Sequence, residues 1–168
     1  MQLGRWTLDR QSWTADASGQ AGSDHTLKTD LPRIDIAANP DGRLPNWAEI
    51  GSADVAGIGR YSASINLPEN WKSGDGALLD LGLVVDTFRI AVNGTEIEPS
   101  SFQDTSAIDI GPYLRGGGNE IVVRVATPLR NAVKLHVRSG MKRVPDMGLI
   151  GPVVLRPYRE TPLSARPE

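Results

Sequence analysis

Phe88-Arg89-Ile90-Ala91-Val92-Asn93-Gly94-Thr95-Glu96-Ile97 carries the fold class in one short stretch. Phe88, Ile90 and Val92 alternate with Arg89 and Ala91, the two-residue period of a strand with one buried face. Asn93-Gly94 follows at once, and these two residue types best tolerate the positive backbone angles of a tight hairpin turn. Thr95, Ile97 and Pro99 continue beyond it. The stretch predicts an antiparallel hairpin.

Short β-rich runs between turn signals recur on both sides. Ser62 to Leu67 places Ala63, Ile65 and Leu67 on one face and stops at Pro68, where a central strand could not continue. Leu78 to Val85 is nearly all apolar and reads as a strand covered on both faces, with Gly82 and the valines favouring strand over helix. Asp109 to Leu114 leads through the turn Arg115-Gly116-Gly117-Gly118-Asn119 into Glu120 to Ala126, with Ile121, Val123 and Val125 facing one way. Further strands are predicted at Trp6 to Asp9, Leu31 to Ile36, Val133 to Val137 and Val153 to Tyr158. Ala15 to His25 and Arg138 to Leu149 lack periodicity and read as surface loops. The expected fold is all-β, an antiparallel sandwich. Residues 1–158 are expected to form one domain, followed by a Pro-rich C-terminal tail or linker at 159–168.

Composition narrows the partners. A formal net charge of -2 in 168 residues supplies no basic excess for phosphate backbones or anionic lipid, so neither nucleic acid nor membrane is an expected partner. No apolar run approaches the roughly 20 residues needed to span a bilayer, and the N-terminus lacks a signal-peptide pattern. The abrupt opening within a strand suits a domain excised from a longer chain. Absence of cysteine removes thiolate nucleophiles and zinc-thiolate sites but leaves the compartment undetermined; a secreted or periplasmic parent is compatible.

Three groups of residues together resemble the sugar-binding jelly-roll, galactose-binding-like domain of family two glycoside hydrolases. They are Gly57-Ile58-Gly59-Arg60-Tyr61, Leu79-Asp80-Leu81-Gly82 and Phe88 to Gly94. Asp109 to Arg115, Asn119-Glu120-Ile121, Ala126 to Asn131 and Gly148 to Val153 resemble the accessory domain of large α-L-rhamnosidases, so that the resemblance covers Trp47 to Tyr158. It implies a non-catalytic domain that binds sugar, supports a catalytic domain in the same parent chain, or contributes a loop to its entrance. Many such domains also carry a structural calcium ion, and oxygen ligands leave little sequence trace. A purely structural docking domain without sugar affinity, and a free-standing lectin or glycosidase, are the alternatives.

Glycosidase chemistry needs two carboxylates about 5 to 10 Å apart with separated pKa values. Asp80, Asp86, Asp104 and Asp109 stand at strand ends, but each suits a turn or cap, and no catalytic residue is assigned. His25 and His136 lack a Gly-x-Ser-x-Gly elbow. Sugar binding needs an aromatic face and a few planar polar groups. Of the four tryptophans, Trp47 and Trp71 lie near loops, whereas Trp6 and Trp13 suit the sandwich edge. Trp47 is the first choice for stacking, with Arg60, Asp86, Arg130, Asn131 and Arg143 as polar partners for a plant or microbial glycan. Asn93-Gly94-Thr95 matches an N-glycosylation pattern, but the hairpin accounts for those residues alone.

Overall fold

A computed structural model describes residues 1–15, 26–72, 75–98, 105–127 and 146–159. Its strands are β1 (Arg5–Ala15), β2 (Thr26–Ala37), β3 (Gly57–Leu67), β4 (Asp75–Asp80), β5 (Leu83–Val85), β6 (Phe88–Val92), β7 (Thr95–Ile97), β8 (Ile108–Asp109), β9 (Gly117–Thr127), β10 (Gly148–Gly151) and β11 (Val154–Arg159). One 3-10 turn, Gly111–Tyr113, precedes β9.

The opening hairpin forms as expected. Asn93 and Gly94 take φ values of 51° and 83°, the positive pair of a type I′ turn, and Ile90 faces Ile97 across it. This hairpin ends a six-stranded antiparallel sheet in the order β2-β1-β3-β9-β6-β7. Alternation fixes which side faces in. Tyr61, Ala63, Ile65 and Leu67 of β3, Ile121, Val123 and Val125 of β9, and Phe88, Ile90 and Val92 of β6 are all buried on the inner face. The opposing layer consists of two smaller sheets, β11-β4-β8 and β10-β5, which contribute Ala77, Leu79, Leu149 and Leu155 to the same core. The chain is an antiparallel all-β sandwich. Each fully buried Leu, Ile or Val contributes about 1.5–3 kcal/mol, whereas an exposed ion pair such as Arg89–Glu96 contributes about 0–1 kcal/mol, so the core holds the layers together.

The long edge strand β2 carries Lys28, Asp30, Arg33 and Asp35, with Pro32 where its register against β1 shifts between Leu8 and Arg10. Charges, a proline and a bulge blunt an edge that would otherwise pair with another chain. The first and last described segments also close on each other. The Met1 ammonium donates to the Leu155 carbonyl at 2.7 Å, and Leu155 N–H donates back to the Met1 carbonyl at 2.8 Å.

Two expectations change. Leu78 to Val85 is not one strand: it breaks at Gly82, where φ is +59°, and its halves enter different sheets. Asp80 accepts the Gly82 N–H at 2.9 Å, and a Cβ on Gly82 would lie 2.5 Å from the Gly151 carbonyl carbon, so only glycine permits this corner. Leu83 is half exposed rather than covered. The end of the segment read as a loop, Arg138 to Leu149, instead enters β10, whose four residues are all buried. The strand predicted at Val133 to Val137 and most of the loop after Ala15 lie outside the described residues, as do 160–168 of the tail; β11 itself runs on to Arg159.

Candidate functional site

Trp47 offers no face to a ligand. It is fully buried, its Nε1 donates to Tyr61 Oη at 2.8 Å, and its ring leaves no room for a Cβ on Gly59 or Gly148. The expectation of stacking at Trp47 is therefore corrected: the indole fills the core between β3 and β10. Its neighbours have a local explanation too. Asn46 N–H donates to Glu49 Oε2 at 2.7 Å and Glu49 N–H to Asn46 Oδ1 at 3.0 Å, the reciprocal pattern of a capping box.

Arg60 projects from the outer face of the six-stranded sheet, where it reaches Ser62 Oγ at 2.6 Å, Glu120 at 3.4 Å and Asp9 at 3.7 Å. Asp86 is exposed at the β5–β6 turn with φ of 77°. Arg130, Asn131 and Arg143 lie outside the described residues, as do His25, Asp104 and His136. Of the described candidates, Arg60 and Asp86 lie on the outer face and at an exposed turn, not beside the buried Trp47.

A cleft of about 520 Å³ does bring together aromatic and polar groups, at the end of the sheet formed by β11, β4 and β8. Register builds it. Tyr158 pairs with Gly76 and Arg159 with Asp75, and the Tyr158 ring covers Gly76 so closely that a Cβ there would fall 2.1 Å from the ring. Tyr158 Oη donates to Asp109 Oδ2 at 2.9 Å, while Asp109 Oδ1 accepts Gly111 N–H at 2.9 Å. Trp71 enters from a turn in which its N–H donates to the Pro68 carbonyl, and it is partly exposed while packing on the core. Arg115 completes the wall, with Nε donating to the Gly118 carbonyl at 3.4 Å.

Asp75, also in the cleft, accepts from Lys72 N–H at 3.0 Å and from Arg159 Nε at 2.7 Å. The Lys72 bond first, and Arg159 second, hold its carboxyl below the usual aspartate range. It is an acceptor at neutral pH, not a proton donor. A group whose folded pKa is depressed stabilises the fold above its ordinary value, near 4, and loses that contribution as pH falls through the folded value. Urea unfolding of the wild type and Asp75→Asn should therefore show a gap at pH 6 that closes towards pH 2; a gap independent of pH would refute this role.

A larger concavity, about 840 Å³, lies on the outer face of the six-stranded sheet around Thr7, Asp9, Arg33, Arg60, Ser62 and Glu120. It lacks an open aromatic face: Trp6, at its rim, is buried, with Nε1 on the Leu3 carbonyl at 2.8 Å. A neutral sugar is held largely by its C–H face on such a platform, so for a neutral glycan the smaller cleft is the better candidate. Among the described residues no group of three Asp, Glu, His or Cys side chains gathers to hold a metal ion.

The sequence named Trp71 but passed over Tyr158, Asp75, Gly76 and Arg115. No local pattern marks them, because the pairing of β4 with β11 assembles them.

No family model matches the chain. No curated protein matches it either. Among solved structures, a β-glucuronidase from an uncultured Clostridium sp. aligns over 75% of this chain and 22% of its own, at 17% identity and a TM-score of 0.42, too low to carry an argument. A rhamnosidase from Novosphingobium sp. PP1Y aligns over 92% of this chain at 22% identity and a TM-score of 0.56. The chain spans 14% of that enzyme's length, and what the two share is the fold.

Proposed function

We propose that this chain is a non-catalytic accessory module of a glycoside hydrolase, most like that of an α-L-rhamnosidase, and that it binds carbohydrate in the cleft between Trp71 and Tyr158. The observation that carries the reading is the convergence of two partly exposed aromatic rings with Asp75, Asp109 and Arg115 in one cleft. Aromatic faces take the C–H side of a pyranose, and fixed carboxylate and guanidinium groups take its hydroxyls. Both carboxylates are tied by hydrogen bonds to backbone and side chains, which suits orientation of a ligand rather than proton transfer. The fold shared with a small part of a rhamnosidase agrees with a module whose other partner is the catalytic domain of its own chain.

Titration calorimetry with rhamnose- and galactose-containing oligosaccharides tests it. Binding is expected, weakened about tenfold by Trp71→Ala, because the lost stacking is worth on the order of 1 kcal/mol. No turnover of aryl rhamnosides or galactosides is expected. Absence of binding to any neutral glycan would leave a docking role alone, and turnover abolished by one Asp or Glu substitution would make the chain an enzyme.

A further inference from the structure

Three arginines stand in line across the outer face of the six-stranded sheet. Arg60 of β3 is the partner of Arg124 of β9, which is in turn the partner of Arg89 of β6. Directly paired residues project to the same face, and neighbouring strands lie about 4.8 Å apart, so the three stems start within about 10 Å. Like charges placed directly opposite destabilise a sheet. Two of the three are offset: Arg60 by Glu120 and Asp9, Arg89 by Glu96 at 3.0 Å. Arg124, between them, is exposed and holds no hydrogen bond or ion pair among the described residues. A depression of about 70 Å³ lies beside it, lined by Arg89, Ala91, Gly94, Glu96 and Val122.

We propose that this face binds a uronic-acid-bearing saccharide, with one carboxylate on Arg124 between Arg60 and Arg89. A guanidinium presents a planar fork that matches a carboxylate. Glu96 and Glu120, already beside the row, accept hydrogen bonds from hydroxyls. A sugar acid offers both groups together. Nucleic acid fits worse, because Asp9, Asp35, Glu96 and Glu120 on the same face nearly cancel its arginines. A protein partner fits worse too, since the row carries no apolar centre beyond Ala91 and the buried Val122. The site stands apart from the Trp71 cleft, which belongs to the other layer.

Calorimetry of the full chain with tri-galacturonic acid, and with the neutral galactose trimer formed by reducing its carboxyl groups, provides the test. The acid should bind, more weakly as salt rises, and the neutral trimer about tenfold less tightly. Arg124→Gln should lower affinity for the acid about tenfold without lowering the melting temperature, since Arg124 is exposed and flanked by like charges, and Trp71→Ala should leave that affinity unchanged. Failure of the acid to bind, or equal binding by Arg124→Gln, would overturn the proposal. So would loss through Trp71→Ala, which moves the ligand to the cleft, or equal binding of poly-glutamate or oligo-dT, which makes the face a general anion or nucleic-acid surface.

Discussion

Tyr61→Phe is expected to lower the unfolding free energy by about 3 kcal/mol, read from urea unfolding at neutral pH. Tyr61 is fully buried, and its Oη accepts from Trp47 Nε1 at 2.8 Å and from Leu149 N–H at 3.2 Å. Phenylalanine fills nearly the same volume but leaves two buried donors without an acceptor, at about 1–3 kcal/mol each. Packing around the oxygen is tight, since a Cβ on Gly148 would already lie 2.3 Å from Oη, which disfavours a replacement water. Burial holds the phenol above the usual tyrosine range. With the folded pKa raised, the contribution is fully present below the unfolded value, near 10, and lost as pH rises through the folded one. The difference between wild type and Tyr61→Phe should therefore narrow in alkali. A loss below about 0.5 kcal/mol at pH 7 would show that the Trp47–Tyr61 bond does not hold the layers.

Asn119→Asp should cost about 3 kcal/mol although it changes one atom. The side chain is 4% exposed and makes four bonds. Its amide nitrogen donates to the carbonyls of Arg115 at 2.7 Å and Gly117 at 3.0 Å, while its oxygen accepts from Asn93 Nδ2 at 2.8 Å and Arg115 N–H at 2.9 Å. An aspartate keeps the acceptor but cannot donate, so two carbonyls would face a buried carboxylate. The change reaches the hairpin, because Asn93 Nδ2 also donates to the Tyr113 carbonyl and its Oδ1 accepts Glu120 N–H. It also reaches the cleft through Arg115. Thermal unfolding and glycan titration should shift together; a stable Asn119→Asp with unaltered binding would remove both roles. The same bonds occupy the amide nitrogen of Asn93, which a glycan on Asn93-Gly94-Thr95 would have to displace.

Strands with one wet face were legible because water enforces alternation, as at Phe88/Ile90/Val92 and Ile121/Val123/Val125. β10 was not: all four of its residues are buried, and its terminal glycines, with φ of 95° and 75°, carry the signature of a loop. The corner at Gly82 was hidden for the same reason, since an unbroken apolar run has no period to interrupt. Trp47 was misread because its burial depends on Gly59 and Gly148 making room, and nothing beside Trp47 announces them. The cleft was illegible for a related cause. Gly76 admits the Tyr158 ring only once β4 and β11 have paired, and residue types alone do not state that register.

The closure of Met1 on Leu155 spans 154 positions, and β4 needs both β8 and β11 to complete its hydrogen bonds. β1, β2, β3 and β9 can pair with one another before β11 is made, but β4 keeps an open edge until β11 is available to pair with it. Such non-local pairing makes folding slower than in a chain of the same size built on local contacts. The strand whose edge is closed last is the one that stays open longest to a wrong partner while the chain folds.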